Sequence, residues 1–258
     1  MPRGASCSEA LMFNPCAVIP VYNHEHAVGE VVAGVLHHKL PCVVVDDGSS
    51  PPCAAALDEL AAAAPTRLTL LRHPFNRGKG AAVLTAARHA AHSGYSHALQ
   101  IDADGQHRVD DIPRFLERAE AQPHALIIGC PEYDASVPPL RLCARYLTHV
   151  WVSINTLSCQ IKDSMCGFRV YPLSSLMEVD RRCRLGERMH FDIEVAVRLY
   201  WNGVKIVNLS TPVTYPRNGV SHFRPWADSA RISRMHALLF FGMLRRLPAL
   251  VVRQRSAS

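Results

Sequence analysis

The sequence predicts an α/β fold with a doubly wound, mainly parallel central sheet flanked by helices. Apolar runs typical of buried strands alternate five times with segments of helical periodicity over about 130 residues. Most polar and glycine-containing loops follow the strands, so a parallel sheet would collect them at one edge. The 258 residues are 48% hydrophobic and 19% charged, which suits a globular chain with a substantial core.

The first half of the chain provides this alternation. Residues 42–45 form a continuous apolar, largely β-branched run, as expected for a strand buried on both faces. Ser50 followed by Pro51 is a helix-start signal ahead of an alanine-rich stretch. The predicted strands are 16–21, 42–45, 67–71, 97–101 and 125–129, and the predicted helices are 27–38, 54–64, 81–92 and one opened by Pro113.

The second half has a less regular pattern, and no linker separates it from the first. The predicted elements are a long helix at 140–157, a strand after the loop that begins at Asp163, a helix at 191–201, and short strands at 204–207 and 213–215. We divide the chain into an N-terminal extension, 1–15, a main domain, 16–225, and a basic C-terminal tail, 226–258.

The C-terminal tail is predicted to form an amphipathic helix at a membrane surface. Between Arg231 and Arg246 it places ten apolar-leaning residues between groups of arginines. A bilayer span needs about 18 apolar residues or more, so we expect surface contact and not a span. The alternatives are a terminal helix packed on the core and a homodimer contact.

Net charge and cysteine usage favour the cytoplasm. A charge of +6 suits phosphorylated substrates or an anionic membrane surface, and we expect no nucleic-acid partner. The nine cysteines have neither paired nor zinc-site spacing, which favours reduced thiols. Residues 1–16 lack the apolar core of a signal peptide. The prediction is a cytoplasmic protein, peripheral on the cytoplasmic face of the membrane.

Two carboxylates follow the fourth predicted strand. Asp102 and Asp104 come directly after its apolar end, where an open α/β sheet binds ligands. Carboxylates this close repel each other unless a cation or a proton lies between them. Oxygen ligands suit Mg²⁺ or Mn²⁺, and either ion can hold substrate phosphates. The alternative is an acidic turn exposed to solvent.

Other phosphate-binding motifs fit less well. The segment 78–83 imitates the dinucleotide-binding glycine pattern, but it follows the third strand and ends in valine. Residues 102–105 also resemble the D-x-D-G of haloacid-dehalogenase-type phosphatases. That motif belongs on a first strand, whereas here it follows the fourth strand and precedes Gln106. A phosphatase of this type would form an aspartyl-phosphate and need no nucleotide.

Four motifs in register resemble family-2 glycosyltransferases, and among them the polyprenyl-phosphate sugar transferases. They are I-P-V-Y-N at 19–23, V-D-D-G-S at 45–49, N-x-G-x-G at 76–80 and D-A-D-G-Q at 102–106. The resemblance covers residues 16–222. It implies a GT-A fold, a UDP- or GDP-sugar donor, a Mg²⁺ or Mn²⁺ ion and inversion at the anomeric carbon.

The resemblance also implies a donor site. Asp104, assisted by Asp102 and Gln106, would bind the metal ion, and His107 could approach the diphosphate. Asp47 would contact the nucleotide base or ribose, although a helix N-cap is the alternative for this residue. Pro20, Tyr22 and Asn23 resemble the nucleotide-binding wall. Arg77 and Lys79 are candidates to contact the diphosphate or base, and a solvated surface charge is the alternative for each.

The acceptor site is less well defined. Arg169 lies in a G-F-R segment and is expected to contact phosphate or acceptor. Arg217 and Ser221 match the R-x-x-G-x-S segment that grips an acceptor phosphate in polyprenyl-phosphate enzymes. A lysine commonly follows that serine, whereas this chain has His222. A lipid-linked phosphate and a hydroxyl of a glycolipid or polysaccharide therefore both remain candidate acceptors.

Asp192 and Glu194 occupy the region where many inverting relatives keep a general base. A carboxylate there would deprotonate a hydroxyl acceptor, whereas a phosphate acceptor is already an oxyanion. Glu194 could instead pair with Arg198 one helical turn later. A membrane-associated scaffold on a degenerate transferase fold is the non-enzymatic alternative, and the intact Asp102 and Asp104 argue against it.

Overall fold

The computed structural model describes residues 12–132, 139–213 and 224–255. The strands are β1 (Pro15–Val21), β2 (Cys42–Asp46), β3 (Leu68–Arg72), β4 (His97–Gln100), β5 (Ala125–Glu132), β6 (Arg169–Pro172) and β7 (Lys205–Pro212). The α-helices are α1 (Val28–His37), α2 (Pro51–Ala63), α3 (Lys79–His92), α4 (Ile112–Ala121), α5 (Pro139–Thr156), α6 (Leu173–Arg182), α7 (Phe191–Trp201) and α8 (Pro225–Arg255). A 3₁₀ turn, Val109–Asp111, precedes α4.

These strands form one seven-stranded sheet in the order β3-β2-β1-β4-β6-β5-β7. Apolar residues alternate between its two faces, as Val18 and Ile19 of β1 illustrate by joining different core clusters. One face is covered mainly by α3, α6, α7 and α8, and the other by α1, α2 and α4. The predicted doubly wound α/β fold, flanked by helices, is confirmed.

Strand β6 is the exception to the parallel arrangement. It pairs antiparallel with both β4 and β5, and Gln100 at the end of β4 faces Arg169 at the start of β6. An antiparallel strand begins at the edge where its parallel neighbours end. The loop leading into β6 therefore lies beside the D-A-D-G-Q segment that follows β4.

The two short strands predicted at 204–207 and 213–215 differ from the observed structure. A single strand, β7, runs from Lys205 to Pro212 and pairs in parallel with all of β5. Val213 adds an isolated bridge to His107, and residues 214 and 215 lie outside the described part of the chain. Polar Asn208, Ser210 and Thr211 interrupt the apolar pattern of this edge strand, which explains why the sequence suggested two pieces.

Helix α8 presents different residues to the core and to solvent. Met235, Leu239 and Met243 are buried, whereas Leu238 and Phe241 are 58% and 62% exposed. The helix thus packs on the core, one of the expected alternatives, and also carries an exposed apolar face. By length and composition the segment Pro225–Arg253 is sufficient to cross a membrane, which the sequence had not led us to expect.

His236 belongs to the packed face of α8. It is 4% exposed, stacks against Trp151 of α5 and lies with Nδ1 3.2 Å from Nδ2 of Asn155. Burial lowers the pKa of His236 from 6.5 to about 4, because the interior disfavours the charged imidazolium. This contact between α5 and α8 therefore requires a neutral ring.

We expect His236 to make the protein less stable in mild acid. Its pKa is lower in the folded than in the unfolded state, so the unfolded chain binds the extra proton more readily as the pH falls from 6.5 towards 4. In urea titrations at several pH values, His236→Gln should reduce the loss of unfolding free energy by up to about 1.4 kcal/mol per pH unit. The control is His26→Gln, since the His26 side chain is 97% exposed; equal pH slopes in both variants would contradict the assignment.

Candidate active site

A cleft of about 450 Å³ opens at the carboxyl edge of the parallel strands. It collects the ends of β1 and β2, the loop before α3, the segment after β4 and the start of α8. Seven of the predicted site residues line it: Pro20, Tyr22, Asn23, Asp47, Lys79, Asp102 and Asp104. Motifs far apart in the sequence therefore do converge on one cavity.

Asp47 organises the loop between β3 and α3. Its Oδ1 accepts a hydrogen bond from the backbone N–H of Arg77 at 2.9 Å and lies 2.6 Å from Nδ1 of His73. Its Oδ2 accepts from the N–H of Gly78 at 2.7 Å. Asp47 is not the N-cap of α2, since Ser50 occupies that position. The carboxylate thus holds the loop that forms this wall of the cleft. Its predicted contact with a nucleotide stays a prediction.

The glycines of the N-x-G-x-G motif allow a close approach by the segment before α7. Gly78 has φ +114°, and a Cβ there would lie 2.5 Å from the carbonyl oxygen of Glu187. A Cβ on Gly80 would lie 2.5 Å from the carbonyl oxygen of Gly186. Across this contact, Nη1 of Arg188 donates to Oδ1 of Asn76 at 2.7 Å, which brings Arg188 to the cleft.

Lys79 lies between two carboxylates. Its Nζ is 2.8 Å from Oδ2 of Asp102 and 2.7 Å from Oδ2 of Asp192. Burial alone would lower the pKa of Lys79, but the two negative charges outweigh it and hold that pKa well above its usual value. Lys79 is therefore a permanent cation that joins the start of α3 to Asp102 and α7. Any contact with a donor diphosphate would compete with these ion pairs.

Asp102 keeps one oxygen without a partner. Burial would raise its pKa, but Lys79 and then His107 hold the pKa well below its usual range. Nε2 of His107 lies 3.8 Å from Oδ2 of Asp102. Among the described residues, nothing hydrogen-bonds to the buried Oδ1 of Asp102. Gly167, in the loop before β6, has no room for a side chain because a Cβ would overlap the Asp102 carboxylate.

Asp104 completes a donor set that fits a divalent cation. It lines the cleft, and its Oδ1 accepts a hydrogen bond from the backbone N–H of Gln106 at 3.0 Å. Gln106 is not among the cleft-lining residues. In the described part of the chain, no three His, Cys, Asp or Glu side chains form a metal cage. Mg²⁺ is commonly held by one or two carboxylates plus substrate phosphates, and the carboxylates of Asp102 and Asp104 fit that donor type.

Asp192 and Glu194, the two candidates for a general base, both form ion pairs. Asp192, 3% exposed, contacts Lys79 through Oδ2 and accepts from Nε2 of Gln100 through Oδ1 at 3.1 Å. Glu194 accepts from Nε of Arg198 at 2.7 Å and from the N–H of Gly186 at 2.8 Å. The structure thus contains the alternative pairing of Glu194 with Arg198. Neither carboxylate lines the cleft.

Arg169 has a different place from the one expected. Its side chain is fully buried, and the guanidinium donates to the backbone carbonyls of Ser164, Cys166 and Asp192. The antiparallel pairing of β6 brings this position to the edge where β4 ends, but the buried side chain does not line the cleft. Arg169 therefore fixes the loop before β6 against α7 and has no surface that could contact a phosphate in this conformation.

Other predicted residues lie beside or outside the site. The Arg77 side chain does not line the cleft, and its Nη2 lies 3.5 Å from Oε1 of Glu187. Arg217 and Ser221 lie outside the described residues.

Four charged residues that line the cleft were not predicted from the sequence, namely Arg188, Arg224, Asp228 and Arg231. Arg224 lies just before the tail, and Asp228 and Arg231 lie within it, where their only sequence signal was a basic, amphipathic pattern.

Comparisons with known proteins identify the family and the fold. Residues 16–166 match the family model for glycosyl transferase family 2. A polyprenol monophosphomannose synthase from Mycolicibacterium smegmatis is 31% identical over 210 residues, covering 79% of this chain and 78% of the relative. An undecaprenyl-phosphate mannosyltransferase from Micrococcus luteus is 25% identical, covering 77% and 82%.

Solved structures show the same fold. A mannosyltransferase from Pyrobaculum calidifontis, in complex with GDP-Man and Mn²⁺, superposes with a TM-score of 0.57 at 18% identity, covering 95% of this chain and 74% of the other. The GT-A-like fold expected from the four motifs is confirmed. With more than half of its residues matched by the family model, the chain belongs to glycosyl transferase family 2 and is a glycosyltransferase.

Proposed function

We propose that the protein is an inverting, metal-dependent transferase that moves a sugar from a UDP- or GDP-sugar to a polyprenyl phosphate. The observation that carries this proposal is the contrast between the carboxylates of the site. Asp102 and Asp104 line the cleft, and Asp102 keeps an unpartnered oxygen beside its ion pair with Lys79. Asp192 and Glu194 do not line the cleft and are held in short ion pairs. The site is thus suited to binding phosphate and lacks a free base at the start of α7.

A phosphate acceptor needs no such base. One of its oxygens attacks the anomeric carbon as the bond from that carbon to the donor diphosphate breaks, and the nucleoside diphosphate leaves with the bonding electrons. A single displacement of this kind inverts the anomeric configuration. The relatives named for polyprenol and undecaprenyl phosphate support the same acceptor class.

The chain's own residues position these reactants. Pro20, Tyr22 and Asn23 line the nucleotide side, and Asp47 holds the adjoining loop. Lys79 keeps Asp102 ionised and oriented. A Mg²⁺ or Mn²⁺ ion bound by Asp102 and Asp104 would stabilise the charge that develops on the leaving diphosphate.

A transfer assay tests this function. The purified full chain is incubated with Mn²⁺, radiolabelled UDP- or GDP-hexoses, and either polyprenyl phosphate or the corresponding polyprenol. We expect labelled lipid only with the phosphate form. Transfer to polyprenol would favour a hydroxyl acceptor, and absence of transfer with the whole donor panel would contradict the proposal.

Loss of the Asp104 charge should abolish most turnover. We expect Asp104→Asn to lower kcat/KM by about 100-fold or more, since charge stabilisation in a leaving-group site contributes on that scale. Calorimetric titration should show weaker Mn²⁺ binding in the presence of nucleotide. The matched control is Asp110→Asn, because Asp110 is an exposed acid on the same connection. Equal activity of the two variants would be inconsistent with a metal-binding Asp104.

We further propose that the protein binds the cytoplasmic face of a membrane peripherally. Helix α8 packs against α5, and both helices carry exposed apolar side chains. They include Tyr146, Leu147 and Val150 of α5, and Leu238, Phe241 and Leu244 of α8. Arg245 and Arg246 supply positive charge next to this surface.

Substitutions on the exposed face test membrane binding without removing core residues. Phe241→Ser with Leu244→Ser should weaken co-sedimentation with anionic vesicles at least about tenfold, because each buried apolar side chain contributes about 1.5–3 kcal/mol. Phe75→Ser is the control, since Phe75 is 66% exposed on a different loop. If both variants sediment like the unmodified chain, α8 does not contact the bilayer.

A further inference from the structure

The first turns of α8 form one wall of the active cleft. Arg224, Asp228 and Arg231 line it together with Asp104 and Tyr22. The helix that carries the exposed apolar face thus also contributes charged side chains to the site. Neither the motif pattern nor the relatives' names assign a role to these residues.

Asp228 fixes the geometry of this wall. It is 4% exposed, and its Oδ2 accepts a hydrogen bond from the backbone N–H of Arg224 at 2.8 Å. Its Oδ1 accepts from Nη1 of Arg231 at 2.8 Å. The buried carboxylate therefore ties the start of the helix to the Arg231 guanidinium. Because the Arg231 side chain is 39% exposed, its other N–H groups remain accessible from the cleft.

This wall carries a net positive charge, since it consists of two arginines, Arg224 and Arg231, and one carboxylate, Asp228. Lys79, by contrast, already faces two carboxylates, and Arg188 hydrogen-bonds the neutral side chain of Asn76. Within the described ranges, no carboxylate pairs with the Arg224 guanidinium, and Arg231 has Asp228 alone. A nucleoside diphosphate and a phosphate acceptor together bring more negative charge than one divalent cation neutralises. Arginine, with its planar fork of donors, matches a phosphate group well.

The same helix continues from this charge into an apolar surface. Leu238 follows Arg231 by seven residues, which is two helical turns or about 10 Å along the axis. Leu238 is exposed, and Phe241 extends the exposed surface one turn further. A lipid phosphate bound at Arg231 would therefore find apolar side chains next to the start of its hydrocarbon chain.

We propose that Arg231, oriented by Asp228, binds the phosphate group of the lipid-linked acceptor, and that Leu238 and Phe241 contact the adjoining hydrocarbon. The assignment rests on the proposed function for the identity of the acceptor. It distinguishes the acceptor phosphate from the donor diphosphate, which a metal ion held by Asp102 and Asp104 would bind.

Equilibrium binding tests the assignment independently of turnover. Binding of a short-chain polyprenyl phosphate in detergent is measured by calorimetry for the full chain, Arg231→Gln and Arg231→Lys. We expect Arg231→Gln to weaken binding about tenfold or more and Arg231→Lys to recover part of the loss. Arg234→Gln is the matched control, because Arg234 is an exposed arginine on the same helix that does not line the cleft. Failure of the unmodified chain to bind, or equal affinities for Arg231→Gln and Arg234→Gln, would overturn the proposal.

Steady-state kinetics separates the two phosphate sources. Arg231→Gln should raise KM for polyprenyl phosphate and leave KM for the nucleotide-sugar within about twofold. If only KM for the nucleotide-sugar rises, Arg231 contacts the donor diphosphate and the proposal is refuted. Leu238→Ser should raise KM for long-chain acceptors more than for short-chain ones. Acceptor binding through Arg231 without any sugar transfer would contradict the proposed function and leave this assignment standing.

Discussion

One buried ammonium group holds the active edge of the sheet together. Lys79 begins α3, Asp102 follows β4, and Asp192 lies in the first turn of α7, so the two ion pairs of Lys79 join three elements. The network continues through Gln100, which donates to Asp192 and accepts from the Tyr171 hydroxyl at 2.9 Å. A charge left unpaired in this interior would be costly, so each member depends on the others.

Sheet topology determines what this network can reach. Because β6 runs against its neighbours, its leading loop arrives where β4 ends, and Gly167 packs directly on Asp102. Arg169 secures the same loop through backbone carbonyls. The carboxylate that faces the cleft is thus braced by Lys79 on one side and by a fixed loop on the other. This bracing keeps the Asp102 carboxylate ionised and oriented.

Local patterns in the sequence predicted the parallel strands, the position of Asp102 and Asp104, and the cleft-lining residues at the ends of β1 and β2. These features depend on short-range periodicity and on the rule that parallel strands end at one edge. Asp192 and Arg169 acquire their partners only through long-range packing, so their sequence context could not reveal that both are already engaged. The arginines of α8 were likewise recognised as basic, while their place in the cleft depends on how the helix docks.

The central claim is that the Lys79–Asp192 ion pair organises this edge, and a double-mutant cycle in the free energy of unfolding tests it most directly. Lys79→Met should destabilise the protein by about 3–5 kcal/mol, because it leaves two buried carboxylates without their cation. Asp192→Asn should destabilise it less, because Lys79 keeps its ion pair with Asp102. The double variant should be destabilised by less than the sum of the two single variants, which gives a coupling energy between about 0.5 and 3 kcal/mol. Effects that add to within about 0.3 kcal/mol would contradict the account.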